Sequence, residues 1–103
     1  MYLGLMQLQF DEMEAISTDL KVLSSLCQKI QKRFKAQAKM HQNYGVKTGQ
    51  VLAINIVQLN SREQELTSCF DSIAKYCEQE GVGRIALEKI LIEPVESLLT
   101  ESH

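Results

Sequence analysis

The side chains able to do chemistry are few, and their spacing argues against a reaction. His41 and His103 are the only histidines in the 103-residue chain, and His103 is its last residue. With Cys27, Cys69 and Cys77 they form no His-x-Glu, Cys-x-x-Cys or His-Glu-x-x-His arrangement, so no metal site and no cofactor are expected. Gly45-Val46-Lys47-Thr48-Gly49 has the glycines and lysine of a phosphate loop without the Gly-Lys-Ser/Thr order that cradles phosphates. It reads as a hinge. Cys69 and Cys77 are eight residues apart, about two helical turns, which puts both thiols on neighbouring parts of one helical face. A redox pair fits that spacing, but buried packing is the simpler role for free thiols. Asp11/Glu14 and Glu78/Glu80 fall on helix surfaces with nothing to raise a carboxyl pKa. No catalytic residue is expected, and the chain reads as a non-enzyme.

Charge offers more. The net charge is −2, yet the stretch from Leu20 to Arg62 carries eight bases and no acid, while all thirteen acids lie in its flanks. Segregation of this kind says more about partners than the total does. Lys29, Lys32, Arg33, Lys35, Lys39 and Lys47 are the candidate anion contacts. Three roles are open to them. A solvated helix face needs no partner. An anionic membrane surface would gain about 1 kcal/mol per nearby cation before screening. Nucleic acid is disfavoured by the acidic flanks, and only Phe34 and Tyr44 lie in the basic stretch to stack on bases.

The elements that would hold these cations read as helices. Apolar residues make up 45% of the chain against 6% aromatics, one Pro and five Gly, a balance that favours helix over sheet in one small domain spanning 1–103. Phe10, Met13, Ile16, Leu20, Leu23, Cys27, Ile30 and Phe34 recur in steps of three and four, the seam of one long helix from Phe10 to Tyr44 that stops at Asn43-Tyr44-Gly45. Most of the cations lie on its other side. Residues 1–9 are a greasy segment that frays or packs as a lid. Val51 to Leu59 has the composition of a strand but no obvious partner. Its Leu52, Ile56 and Leu59 continue the helical spacing into Leu66, Phe70, Ile73 and Cys77, so it too is read as helix. Ser61 and Gln64 form a capping-box pattern ahead of a helix from about Arg62 to Gln79, which Gly81-Val82-Gly83 weakens or ends. A last helix covers Arg84 to Thr100, with Ile85, Ile90, Leu91, Val95 and Leu98 buried and a kink at Pro94. No apolar run approaches a membrane span, and no basic leader precedes the N-terminal residues, so the default compartment is the cytosol with reduced thiols. The expectation is an all-α hairpin or small bundle. Its coiled-coil-like seam (Met13, Ile16, Leu20, Leu23, Cys27, Ile30, Phe34, Leu66, Phe70 and Ile73) is too apolar to stay wet and calls for a homodimer or a helical protein partner.

This pattern resembles the opening half of a BAR domain, the helical dimer module that moulds membranes. The likeness is carried by Leu26-Cys27-Gln28 in a seam-bearing first helix, the basic stretch behind it, and Phe70-Asp71-Ser72-Ile73-Ala74-Lys75 in a capped second helix. Leu87-Glu88-Lys89 then leads into Ile92-Glu93-Pro94-Val95. The spacing from Cys27 to Pro94 is similar to that of Chibby-interacting BAR-domain proteins, and the match covers roughly residues 10–99. A BAR domain has three long helices, so an incomplete module or a fragment is implied. So are dimerisation through the seam, contact of the Lys/Arg face with anionic lipid at a peripheral membrane site, and ciliary-base or endocytic partners. The alternative is a helical adaptor subunit of a protein complex, its basic helix set against an acidic partner or against the chain's own acidic half.

Overall fold

The first ten residues alternate in burial. Gly4, Met6, Leu8 and Phe10 are buried, whereas Leu3, Leu5, Gln7 and Gln9 keep contact with solvent. A period of two is that of a strand with one covered face, and this segment is strand β1, Tyr2–Asp11. The computed structural model describes residues 1–11, 16–45, 49–80 and 84–100; the side chains at 11, 16–20, 41–45, 49–52, 84, 86, 99 and 100 lie outside that description. After β1 come helix α1 (Ile16–Phe34), strands β2 (Gln37–Gly45) and β3 (Gly49–Asn60), helix α2 (Glu63–Glu80), strand β4 (Arg84–Pro94) and the short helix α3 (Val95–Thr100).

The strands form one sheet in the order β2-β3-β1-β4, with every neighbouring pair antiparallel. Strands β1 and β2 therefore run parallel with β3 between them, joined by α1 in a split β-α-β unit. Both long helices cover the same face of the sheet. From α1, Leu23, Leu26, Cys27 and Ile30 are buried; from α2, Leu66, Phe70, Ile73, Ala74 and Cys77. They meet Met6, Leu8 and Phe10 of β1 and Ile54 and Ile56 of β3 in a single core. The result is two layers, with a shortest dimension of 18 Å. This is the ferredoxin-like α/β architecture.

The all-α hairpin or bundle is therefore wrong, and each misreading has a local cause. The supposed helix from Phe10 to Tyr44 is three elements. Phe10 belongs to β1, and α1 ends at Phe34, where Lys35 turns left-handed with φ 55°. Its N–H donates to the Gln31 carbonyl at 3.1 Å, the single 5→1 bond of an αL cap. The sequence has no Gly or Asn there to announce the stop. Residues 1–9 are a central strand rather than a lid, and Val51–Leu59 is β3, whose missing partners are β1 and β2. The last helix is mostly strand β4, so Ile90 and Leu91 fall on opposite faces and both are exposed, as is Leu98. Pro94 does not kink a helix. It ends an edge strand, where its missing N–H costs no ladder bond, and α3 starts beside it. Helix α2 lies where one was expected, but the polar side chain that turns the chain into it is Asn60, whose Oδ1 accepts from Arg62 N at 3.0 Å. The Gly81-Val82-Gly83 break lies outside the described residues.

Candidate interaction face

The basic residues do not share one face. Lys29 Nζ donates to Glu80 Oε1 at 2.9 Å, and the Tyr76 hydroxyl donates to the same oxygen at 3.0 Å. These two donors hold the Glu80 carboxyl below its ordinary 4.5, while Glu80 raises Lys29. The Arg33 guanidinium lies 4.9 Å from the centre of the Tyr76 ring, which meets Phe34 edge-on with centroids 5.8 Å apart. Lys29 and Arg33 thus tie α1 to α2. Lys32 is exposed in the last turn of α1, Lys35 forms the cap, and Lys39 sits on β2. Lys47 lies outside the described residues. Among the described residues, the cations are divided between α1, its cap and β2, so the single long helix of the membrane-scaffold reading is not formed.

The apolar seam is a sheet-packing surface. Leu23, Cys27, Ile30, Leu66, Phe70 and Ile73 are all buried, and Phe34 packs on the core's margin. Their cover is the sheet of the same chain, not a partner helix. Ile16 and Leu20 lie in α1 with side chains outside the description, and Met13 is outside it altogether. Gln58, on the covered face of β3, donates from Nε2 to the Phe34 carbonyl at 3.0 Å and so satisfies an end-of-helix acceptor.

The thiols are packing groups. Burial pushes Cys27 up to about 11 and Cys77 up to about 12, and raises Cys69 as well. The reactive thiolate is suppressed in each. Among the described residues, no group of three His, Cys, Asp or Glu side chains is placed to hold a metal.

Helices α1 and α2 leave the other face of the sheet uncovered. Directly opposed residues in antiparallel ladders share a face, so the registers define its rows. One row is Leu59, Leu3 and Glu93; the next is Gln37, Val57, Leu5 and Leu91; the third is Lys39, Asn55, Gln7 and Lys89; the fourth brings Ala53, Gln9 and Leu87 together. The polar members are knit to one another. Gln9 Nε2 donates to Gln7 Oε1 at 3.0 Å, and Gln7 Nε2 donates to Asn55 Oδ1 at 2.8 Å. The apolar members are left in water: Leu59 is 55% exposed, Leu91 50% and Leu5 37%. A shallow depression of about 320 Å³ lies among Leu5, Gln7, Asn55, Val57, Lys89 and Leu91. In the sequence, Leu3, Leu5, Gln7 and Gln9 fall in a segment read as a lid, and the β3 and β4 positions in segments read with a helical period. The alternation from Met6 to Phe10 was the available signal.

No family model and no curated protein matches this sequence. Among solved structures, the chain is similar to protein Atu4242 from Agrobacterium tumefaciens at 14% identity and a TM-score of 0.49, covering 91% of this chain and 92% of that one. It is also similar to the de novo designed protein Ferredog-Diesel (14% identity, TM-score 0.43, 89% and 84% covered). A second design, LFR1 1, described as having a ferredoxin fold, stands at 14% identity and a TM-score of 0.42, with 90% and 83% covered. At such identities the likeness concerns architecture alone. With a four-stranded sheet at the centre of the molecule, the BAR resemblance is overturned, and the membrane-curvature scaffold and helical adaptor readings go with it. Among the described residues, no helix is long and apolar enough to cross a membrane.

Proposed function

We propose that this chain is a non-enzymatic self-association domain that pairs with a second copy through the uncovered face of its sheet. The observation that carries the reading is the aliphatic patch of exposed Leu5, Leu59 and Leu91 with half-buried Leu3 and Val57. A sheet face evolved for water alternates to polar residues, and this one does so only in part. Four strands of about ten residues span roughly 600 Å², near the lower end of what a specific interface buries per partner.

Charge selects how the copies would meet. Lys89 and Glu93 flank Leu91 on the same face of β4, one row to either side. A two-fold axis lying across the strands along the Leu91–Leu5–Val57 row sets each of these residues on its own copy. It also brings Lys89 of each chain against Glu93 of the other. The perpendicular choice, with the axis along the strands, would instead oppose Lys39 and Lys89, two like charges. Protonated, packed thiols support a role without covalent chemistry. Three free cysteines suit the cytoplasm, where we place the protein.

Sedimentation velocity across a concentration series tests the pairing. The wild type should shift from monomer to dimer as concentration rises. Leu91→Glu, which sets carboxylates against each other across the axis, should remain monomeric with unchanged circular dichroism. A wild type that stays monomeric throughout would refute the proposal.

A further inference from the structure

The cations of the acid-free stretch from Leu20 to Arg62 take no part in the proposed sheet-face pairing, yet the fold gathers some of them along one border. Strand β2 is an edge: among the described residues it pairs with β3 on one side, and its other side is a sheet border with no further strand. Beside that edge, under α1, lies a groove of about 350 Å³. Its floor is made by two small buried residues, Cys27 and Ala38, and its walls by Ser24, Gln28 and Gln31 of α1 and the partly exposed Met40 of β2. The lining holds no acid. Lys32 and Lys35 follow Gln28 and Gln31 by one helical turn, and Lys39 stands on the edge strand itself.

We infer that this groove takes up an extended acidic peptide, which adds to β2 as a fifth strand. The edge supplies main-chain hydrogen bonds to any strand, and the groove supplies selection. Alternate residues of an added strand point into the groove, where the small floor leaves room for a Val-sized side chain. The residues between them point to the other face, beside Lys39, where a carboxylate is matched and a cation is repelled. A second copy of this chain fits the edge less well, because pairing β2 with itself brings Lys39 towards its own counterpart. Lys39, which attracts an acidic strand, is also what deters self-pairing. The peptide adds beyond β2, outside the patch of Leu5, Leu59 and Leu91, so this inference does not rest on dimerisation.

The test uses the full chain and a fluorescein-labelled peptide, Glu-Val-Glu-Val-Glu-Val. Anisotropy should rise to saturation, and hydrogen exchange at the amides of 37–45 should slow when the peptide is bound. The same peptide N-methylated at every residue should fail to bind, since it has no N–H left to donate to β2. Lys32→Glu/Lys39→Glu should weaken binding by about tenfold or more, whereas Lys75→Glu on α2 should leave it unchanged. The inference is overturned if the N-methylated peptide binds as well, if Lys75→Glu weakens binding as much as the double variant, or if no saturation is reached by about 1 mM.

Discussion

Gly4 and Lys35 show how single residues set the packing of this molecule. Gly4 is where α2 presses on β1: a Cβ built there would lie 2.7 Å from Phe70 Cζ and 2.8 Å from Cε2. Phe70 is fully buried, so its ring has nowhere to retreat. Gly4→Ala should therefore cost about 1–3 kcal/mol in chemical denaturation, and adding Phe70→Leu should cost less than the two single effects summed. Lys35 presents the opposite case. Its left-handed φ of 55° burdens a side chain with strain that glycine escapes. Lys35→Gly should raise stability by about 0.5–1 kcal/mol, whereas Lys35→Ala, which keeps a Cβ, should not. An unchanged denaturation midpoint for the glycine variant would mean that the cap carries no strain.

At the scale of elements, the helix layer is held together by grease below and by a polar clasp above. Leu23, Cys27 and Ile30 face the sheet from α1, as Phe70, Ile73 and Cys77 do from α2, while Lys29, Arg33, Tyr76 and Glu80 bind the two helices at the surface. The buried thiols make this layer sensitive to base. An unfolded thiol ionises near 9.0, but burial holds Cys27 at about 11 and Cys77 at about 12. The folded state thus retains protons that the unfolded chain releases. The stabilisation is complete below pH 9 and drains away as pH rises towards the folded values, by up to about 1.4 kcal/mol per thiol per pH unit. Urea midpoints should fall steeply between pH 9 and about 11 in the wild type and less so in Cys27→Ala/Cys77→Ala. Equal slopes in the two proteins would remove the thiols as the cause.

Across the whole molecule, the decisive fact is a two-layer body with one sheet face left uncovered by α1 and α2. If copies pair there about the axis proposed, Lys89→Glu should weaken the dimer by placing carboxylates together, and Lys89→Glu/Glu93→Lys should restore it in sedimentation. Failure of the double exchange to rescue association would reject that axis. The sequence alone determined a good deal. It showed that α2 is a helix with Leu66, Phe70 and Ile73 inward, that Leu23, Cys27 and Ile30 share a face, and that cations crowd the middle of the chain. Those are local facts, carried by a period of three to four residues or by composition. It also held the alternation of β1 and the strand-like composition of β3. A strand's stability, however, lies in its partners, and Leu5 meets Val57 and Leu91 only after the chain has folded back twice. Pairings across more than fifty residues leave no periodic trace, and an αL stop at Lys35 leaves no glycine. Only the tertiary structure could decide that the seam faces a sheet, that Lys29 and Arg33 are spent on α2, and that Leu3, Leu5, Leu59 and Leu91 gather on the sheet's other face.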